Sequence, residues 1–297
     1  MDGASRLRPV KVGGIDYLNA LPLTRYLDTA GDPPLEVSSH PPSALARLLR
    51  AGDLDVALVP VVEYLARPEY RIVPDVCIAS YGEVLSILFC HRRPLVDVRA
   101  VGLDESSRTS AMLTRLLFQG LWGGSPEFVE ATPAELGVIL RGAADPARLA
   151  GGRGRDIDAL LLIGDAALRA SPGPEWEVID LGAAWTRWTG LPLVYAFWVW
   201  RGGPAPPGLA ERFQRAKAAG IARIDEIVAA YSAAQGVDPA RGRRYLYQVI
   251  QYDLGDLQVE GLLEFYRRLD AAFHLAPAGV RLSDLQWLDA QSLLPAS

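Results

Sequence analysis

This sequence predicts an α/β fold of two lobes with a helical C-terminal segment, and three observations carry that prediction. Short apolar strand-like runs alternate with helical patterns over roughly the first two thirds of the chain, as in βαβ units around a largely parallel sheet. The 297 residues are enough for about two cores. Beyond Gly202-Gly203-Pro204 the strand signals give way to apolar residues recurring every three or four positions.

Val12–Ile15 reads as the first strand, Leu21–Leu27 as a short helix and Leu35–Val37 as the second strand. Pro42–Ala51 places Leu45, Leu48 and Leu49 on one helical face, and Asp55–Val59 is a buried strand followed by a helix from Val61 to Leu65. Val76–Ser80 and Val84–Cys90, separated by Tyr81-Gly82-Glu83, read as an antiparallel hairpin added to that sheet. A second α/β block has strands at Ala100–Leu103, Glu127–Val129 and Ile157–Leu162 and a helix at Thr109–Gln119, with Gly164-Asp165 after the last strand. Arg141–Arg155, rich in Gly, Ala and Arg, reads as a loose surface loop. Leu193–Trp200 is a continuous apolar and aromatic run, hence a core strand. Leu209, Phe213, Ala216, Gly220, Ile224, Ile227 and Tyr231 form one buried helical face, and helices near Arg241–Gln251 and Asp256–Phe273 complete the chain.

Half of the residues are apolar, 22% are charged and the formal net charge is −5, the composition of an ordinary globular protein. With no Lys/Arg block, nucleic acid is not an expected partner. No apolar run reaches the ~18–20 residues of a membrane span, and Met1–Val10 lacks the apolar core of a signal peptide, so a cytoplasmic protein with no membrane partner is expected. Cys77 and Cys90 lie in apolar runs and read as buried free thiols of a reducing compartment. There is no CxxC, and His40, His91 and His274 have no ligand-like spacing, so no metal site is expected. The absence of GxSxG, P-loop, GxGxxG and HExxH patterns leaves no expected cofactor. The oligomeric state is not legible in the sequence.

Ligands of two-lobed α/β proteins sit at the carboxyl ends of strands, between the lobes. The most informative segment of this kind is Leu103-Asp104-Glu105-Ser106-Ser107-Arg108-Thr109-Ser110, where a strand gives way to a helix. Free N–H groups, a positive helix end and Arg108 would seat a carboxylate, whereas the plain alternative is a serine cap beside a solvated Arg. Asn19, after the first strand, is either a cap or a donor and acceptor for a ligand. Glu63 complements the start of its helix, Asp165 is a cap or a ligand contact, and Ser86, with Ser80 across the turn, bonds backbone or faces the cleft.

Several ordered stretches resemble one family. They are Gly14-Ile15-Asp16-Tyr17-Leu18-Asn19-Ala20-Leu21-Pro22-Leu23, Gly52-Asp53-Leu54-Asp55-Val56-Ala57-Leu58-Val59-Pro60 with Glu63-Tyr64, Tyr70-Arg71-Ile72-Val73-Pro74, Ile78-Ala79-Ser80, Val84-Leu85-Ser86, the 103–110 segment, Ile163-Gly164-Asp165-Ala166 and Leu191-Pro192-Leu193-Val194-Tyr195-Ala196-Phe197-Trp198. Over roughly residues 10–275 the chain resembles the MqnA family, chorismate dehydratases of the futalosine route to menaquinone. Asp16 departs from the small polar residue common before the Tyr. The resemblance implies a two-lobed periplasmic-binding-protein-like fold of type II, with residues 1–99 and 194–297 in one lobe and 100–193 in the other. It also implies a hydro-lyase that converts chorismate to 3-[(1-carboxyvinyl)oxy]benzoate and water. Asn19 is then the expected catalytic residue, orienting the departing hydroxyl or the proton acceptor. Tyr17, Ser86, Ser106, Ser107, Arg108, Thr109 and Asp165 are the expected substrate-binding residues. A non-catalytic binding protein for small carboxylates, and the sister 1,4-dihydroxy-6-naphthoate synthase, are the competing expectations.

Overall fold

The computed structural model describes residues 8–142, 157–275 and 281–288. The chain builds β1 (Val10–Gly14), α1 (Leu21–Thr24), β2 (Leu35–Ser39), α2 (Pro42–Ala51), β3 (Val56–Pro60), α3 (Val61–Ala66) and β4 (Arg71–Ser80). The α2 boundaries follow local chemistry: Pro42 opens the helix where a missing N–H costs nothing, and Gly52 closes it at φ +83°. Next come β5 (Ile87–His91), β6 (Ala100–Asp104), α4 (Thr109–Leu117), β7 (Glu127–Ala131), α5 (Pro133–Leu140), β8 (Ala159–Ile163), α6 (Gly164–Arg169), β9 (Glu177–Asp180) and α7 (Leu181–Thr189). Then follow β10 (Leu193–Trp200), α8 (Leu209–Ile221), α9 (Ile224–Gln235), α10 (Pro239–Arg244), β11 (Ile250–Gln251) and α11 (Asp256–Phe273). Residues 1–7 and 143–155 of the expected surface loop lie outside the described residues.

The strands form two sheets, ordered β11-β4-β10-β3-β1-β2 and β7-β6-β8-β5-β9. Each has a parallel core, β2-β1-β3 in the first and β7-β6-β8 in the second. Antiparallel strands complete each sheet: β10 lies between β3 and β4, while β5 lies between β8 and β9. Both sheets are therefore mixed rather than largely parallel. All eight residues of β10 are buried, because it runs through the middle of its sheet beneath helices. Strand β8 shows the period of two: Ala159 and Leu161 join the main core, whereas Leu160 and Leu162 join a smaller one with Leu136, Ile139 and Leu140 of α5.

Two sequence expectations are corrected by the sheet topology. Residues 76–80 and 84–90 do not form a hairpin: β4 pairs with β10 and β11, while β5 pairs with β8 and β9. The chain crosses between sheets at 81–86, so Ile87–His91 belongs with the second sheet and not with the first as the 1–99 span supposed. The physical reason lies in the connection. Gly82 at φ +96° and Leu85 at φ +60° turn the chain out of β4's plane. The Asp180 carboxylate then accepts the N–H groups of Val84 (3.0 and 3.1 Å) and Leu85 (2.7 Å).

Asp180 also caps α7 through the Ala183 N–H at 3.0 Å, and α7 with residues 190–192 is the return crossover. The two crossovers thus lie side by side. Their closest approach requires glycine, since a Cβ on Gly182 would stand 2.6 Å from the Gly82 carbonyl oxygen. The single helical face read over 209–231 is divided between α8 and α9, which part at Arg223. The helix starting at Thr109 likewise continues as a wider turn over 118–122 and closes at Gly123, φ +74°.

Candidate active site

A cleft opens where the two sheets face each other, lined from both of them. Its apolar walls include Ile15, Pro42, Pro60, Ile78, Val84, Ile87 and Ile163. Its polar lining is Tyr17, Asn19, Ser86, Ser106, Ser107, Arg108, Thr109, Ser110 and Tyr195. Most of these sit just past the end of a strand: Tyr17 and Asn19 after β1, residues 106–110 after β6.

The β6–α4 turn is shaped by Asp104. Its buried carboxylate accepts the Ser106 N–H at 2.9 Å and the Ser106 hydroxyl at 2.6 Å, and its carbonyl accepts the Ser107 N–H at 2.9 Å. Burial pushes the Asp104 carboxyl up, against the pull of both Ser106 bonds. The serines do not cap α4, contrary to the capping alternative. Ser106 is turned back to Asp104, Thr109 Oγ1 donates to the Tyr195 carbonyl at 3.1 Å, and no side chain bonds the helix start. The first-turn N–H groups of Thr109, Ser110 and Ala111 therefore have no acceptor in the helix or its cap, and Ser107 Oγ is buried without a partner. Exposed Arg108 stands at the same place. Unpaired donors, a helix start and a guanidinium are the groups an anion would need at this wall.

On the facing wall Asn19 Oδ1 is also buried without a partner, and its backbone carbonyl accepts the Tyr252 hydroxyl at 3.0 Å. Tyr245 donates to Ser86 Oγ at 2.6 Å, and Ser80 and Tyr195 share a hydrogen bond of 2.8 Å. Burial pushes the Tyr17 phenol up, and desolvation holds the Tyr195 phenol far above its ordinary value. Among the described residues lining the cleft, none is a carboxylate, a histidine or a cysteine.

Seven of the eight expected site residues line this cleft: Tyr17, Asn19, Ser86, Ser106, Ser107, Arg108 and Thr109. Asp165 does not, and it does not cap α6, whose N-cap is Ile163. Its carboxylate instead lies beyond Tyr17, bonded to the Tyr231 hydroxyl of α9 and, at 3.5 Å, to the Leu18 N–H. Burial raises its carboxyl against both bonds. Glu63 pairs with Arg50 at 2.9 Å as well as standing at the start of α3. Sequence reasoning missed Tyr245, in a stretch read only as helical. Tyr195 was missed as a lining residue, although a phenol within the apolar 193–200 run was a signal of the same kind as Ser86.

The family model described as menaquinone biosynthesis matches residues 10–271. A chorismate dehydratase of Thermus thermophilus is 31% identical over 285 residues, covering 90% of this chain and 97% of that protein. Among solved structures, an Archaeoglobus fulgidus protein has a TM-score of 0.69 at 18% identity, over 90% of this chain and 98% of its own. The periplasmic aliphatic sulphonate binding protein of Escherichia coli has a TM-score of 0.59 at 15% identity, over 95% and 98%. The fold is periplasmic-binding-protein-like.

Proposed function

The chain belongs to the menaquinone-biosynthesis family, and from that premise we propose that it acts as a chorismate dehydratase, forming 3-[(1-carboxyvinyl)oxy]benzoate and water, in the futalosine route. The observation that carries this reading is the pairing of two unsatisfied walls, the 107–111 donors on one side and the buried Asn19 Oδ1 on the other. Chorismate is a ring acid with two carboxylates and a hydroxyl. The 107–111 donors with Arg108 suit a carboxylate, and Asn19 and Ser86 suit the hydroxyl.

In the elimination, the ring C–H next to the hydroxyl-bearing carbon gives up its proton. The electron pair of that bond becomes the new ring double bond as the C–O bond breaks, and the departing hydroxide takes up a proton to leave as water. The product ring is aromatic, which lowers the demand for a strong base. Among the described residues the cleft wall carries the phenols Tyr17 and Tyr195, both raised by burial, so neither is a base at neutral pH. We therefore assign the proton to a carboxylate of the substrate itself, with Asn19 orienting the departing hydroxyl, since an amide does not titrate usefully. Holding both groups between the sheets supplies alignment and excludes water. The reading places the enzyme in the cytoplasm, where the buried thiols Cys77 and Cys90 stay reduced.

The test is direct. Purified protein is incubated with chorismate, and the aromatic product is followed by ultraviolet absorbance and mass spectrometry. Appearance of the enol ether at enzymatic rates is expected. Chorismate that binds but stays intact would instead make the protein a solute-binding relative.

A further inference from the structure

Tyr245 is 1% exposed, and its hydroxyl donates to Ser86 Oγ at 2.6 Å. A hydroxyl carries one proton and two acceptor lone pairs. Because Ser86 Oγ is the acceptor in this bond, its own proton is left to be given elsewhere. No acceptor for it occurs among the described residues, and Ser86 lies on the cleft wall. The Asn19 side chain neighbours the same phenol, whose ionisation burial opposes, so the phenol keeps the proton it gives to Ser86.

We propose that Tyr245 is a positioning residue for the elimination, turning the Ser86 O–H away from the protein and toward the departing ring hydroxyl beside Asn19. The inference rests on the dehydratase reading above. As the C–O bond lengthens, negative charge grows on the hydroxyl oxygen, so a donor aimed there binds the transition state more tightly than the ground state. Ser86 keeps its proton throughout, and the leaving hydroxide takes the one the ring has lost. Tyr245 touches no reacting atom. It removes the rotamer in which Ser86 would spend its proton on the protein.

Steady-state kinetics with chorismate on wild type, Tyr245→Phe, Ser86→Ala, the double variant and Tyr266→Phe test this. Losing one donor to a developing charge should lower kcat roughly 10- to 100-fold in Ser86→Ala, and about 10-fold in Tyr245→Phe. KM should stay within about twofold in both, because the bond strengthens only in the transition state. The double variant should be no slower than Ser86→Ala, since Tyr245 acts through Ser86. Tyr266→Phe also removes a buried phenol bond, 2.7 Å to the Val61 carbonyl, and should lower Tm while keeping kcat. The proposal is overturned if Tyr245→Phe keeps the wild-type kcat, if the two losses multiply, if the loss falls on KM, or if Tyr266→Phe loses kcat equally. Wild-type protein that leaves chorismate intact defeats the dehydratase reading and this inference with it, a result visible without any variant.

Discussion

Replacing Asp180 by Ala removes one carboxylate that three backbone amides share. Val84 donates at 3.0 and 3.1 Å to its two oxygens, Leu85 at 2.7 Å and Ala183 at 3.0 Å. The Ala183 bond is a helix N-cap, whose loss costs about 1 kcal/mol. The other two amides belong to the outward crossover, and each N–H left without a partner costs about 1 kcal/mol where water can still reach it. Burial pushes the Asp180 carboxyl up, so desolvation already offsets part of what these bonds contribute. The net expectation is a loss of about 2–3 kcal/mol, or roughly 3–5 °C in Tm for a chain of this size. Asp180→Asn keeps one acceptor oxygen but turns an NH₂ toward one of the crossover amides, and should lose about half as much. Thermal unfolding followed by circular dichroism at pH 7 measures both. A Tyr- and Trp-fluorescence trace recorded in parallel checks that unfolding is a single step. An Asp180→Ala protein that melts within about 2 °C of wild type would refute the idea that this side chain ties the crossovers together.

Asn19→Ala should lower kcat for chorismate by about 100-fold with the protein folded, and near-normal turnover would remove Asn19 from the reaction. Ser107→Ala should mainly raise KM, by roughly three- to tenfold, because an unpartnered donor at the anion seat is lost; unchanged kinetics count against the seat. Asp158 is fully buried, and burial alone would raise its carboxyl, but Arg93 Nε at 2.5 Å and Arg99 hold it below the usual range. The stability it contributes is therefore complete above the unfolded value near pH ~4 and is lost as pH falls through its lowered value. Asp158→Asn should cost about 3 kcal/mol at pH 7, with the gap to wild type closing in urea titrations below pH ~4.

Much of the fold is legible in the sequence, because element type follows local periodicity. The α2 helix (Pro42–Ala51) and β10 (Leu193–Trp200) are found at the boundaries expected, one set by Pro and Gly, the other by an unbroken apolar run. Sheet membership was harder. Ile87–His91 looks the same whether it pairs with β4 or with β8, and the choice depends on Asp180, almost a hundred residues away, accepting the Val84 and Leu85 amides. The cleft residues were legible where a polar side chain follows a strand, as with Asn19 and the 106–109 run. Asp165 looks the same in sequence, yet α6 leads its carboxylate away from the cleft to Tyr231. Tyr245 gave no signal because a buried phenol on a helical stretch is ordinarily core.

The chain passes from one sheet to the other twice, and both passages run together at Gly82 and Gly182. Two bodies strapped at one edge keep a single easy motion, a swing about the line of the straps. Asp165 of α6 meets Tyr231 of α9 and the Leu18 amide, and Arg169 reaches the Gln235 carbonyl at 3.3 Å, so side chains as well as the crossovers join the two sheets' helices. A swing that widened the cleft by parting α6 from α9 would break these bonds, and they are the cost that such an opening carries.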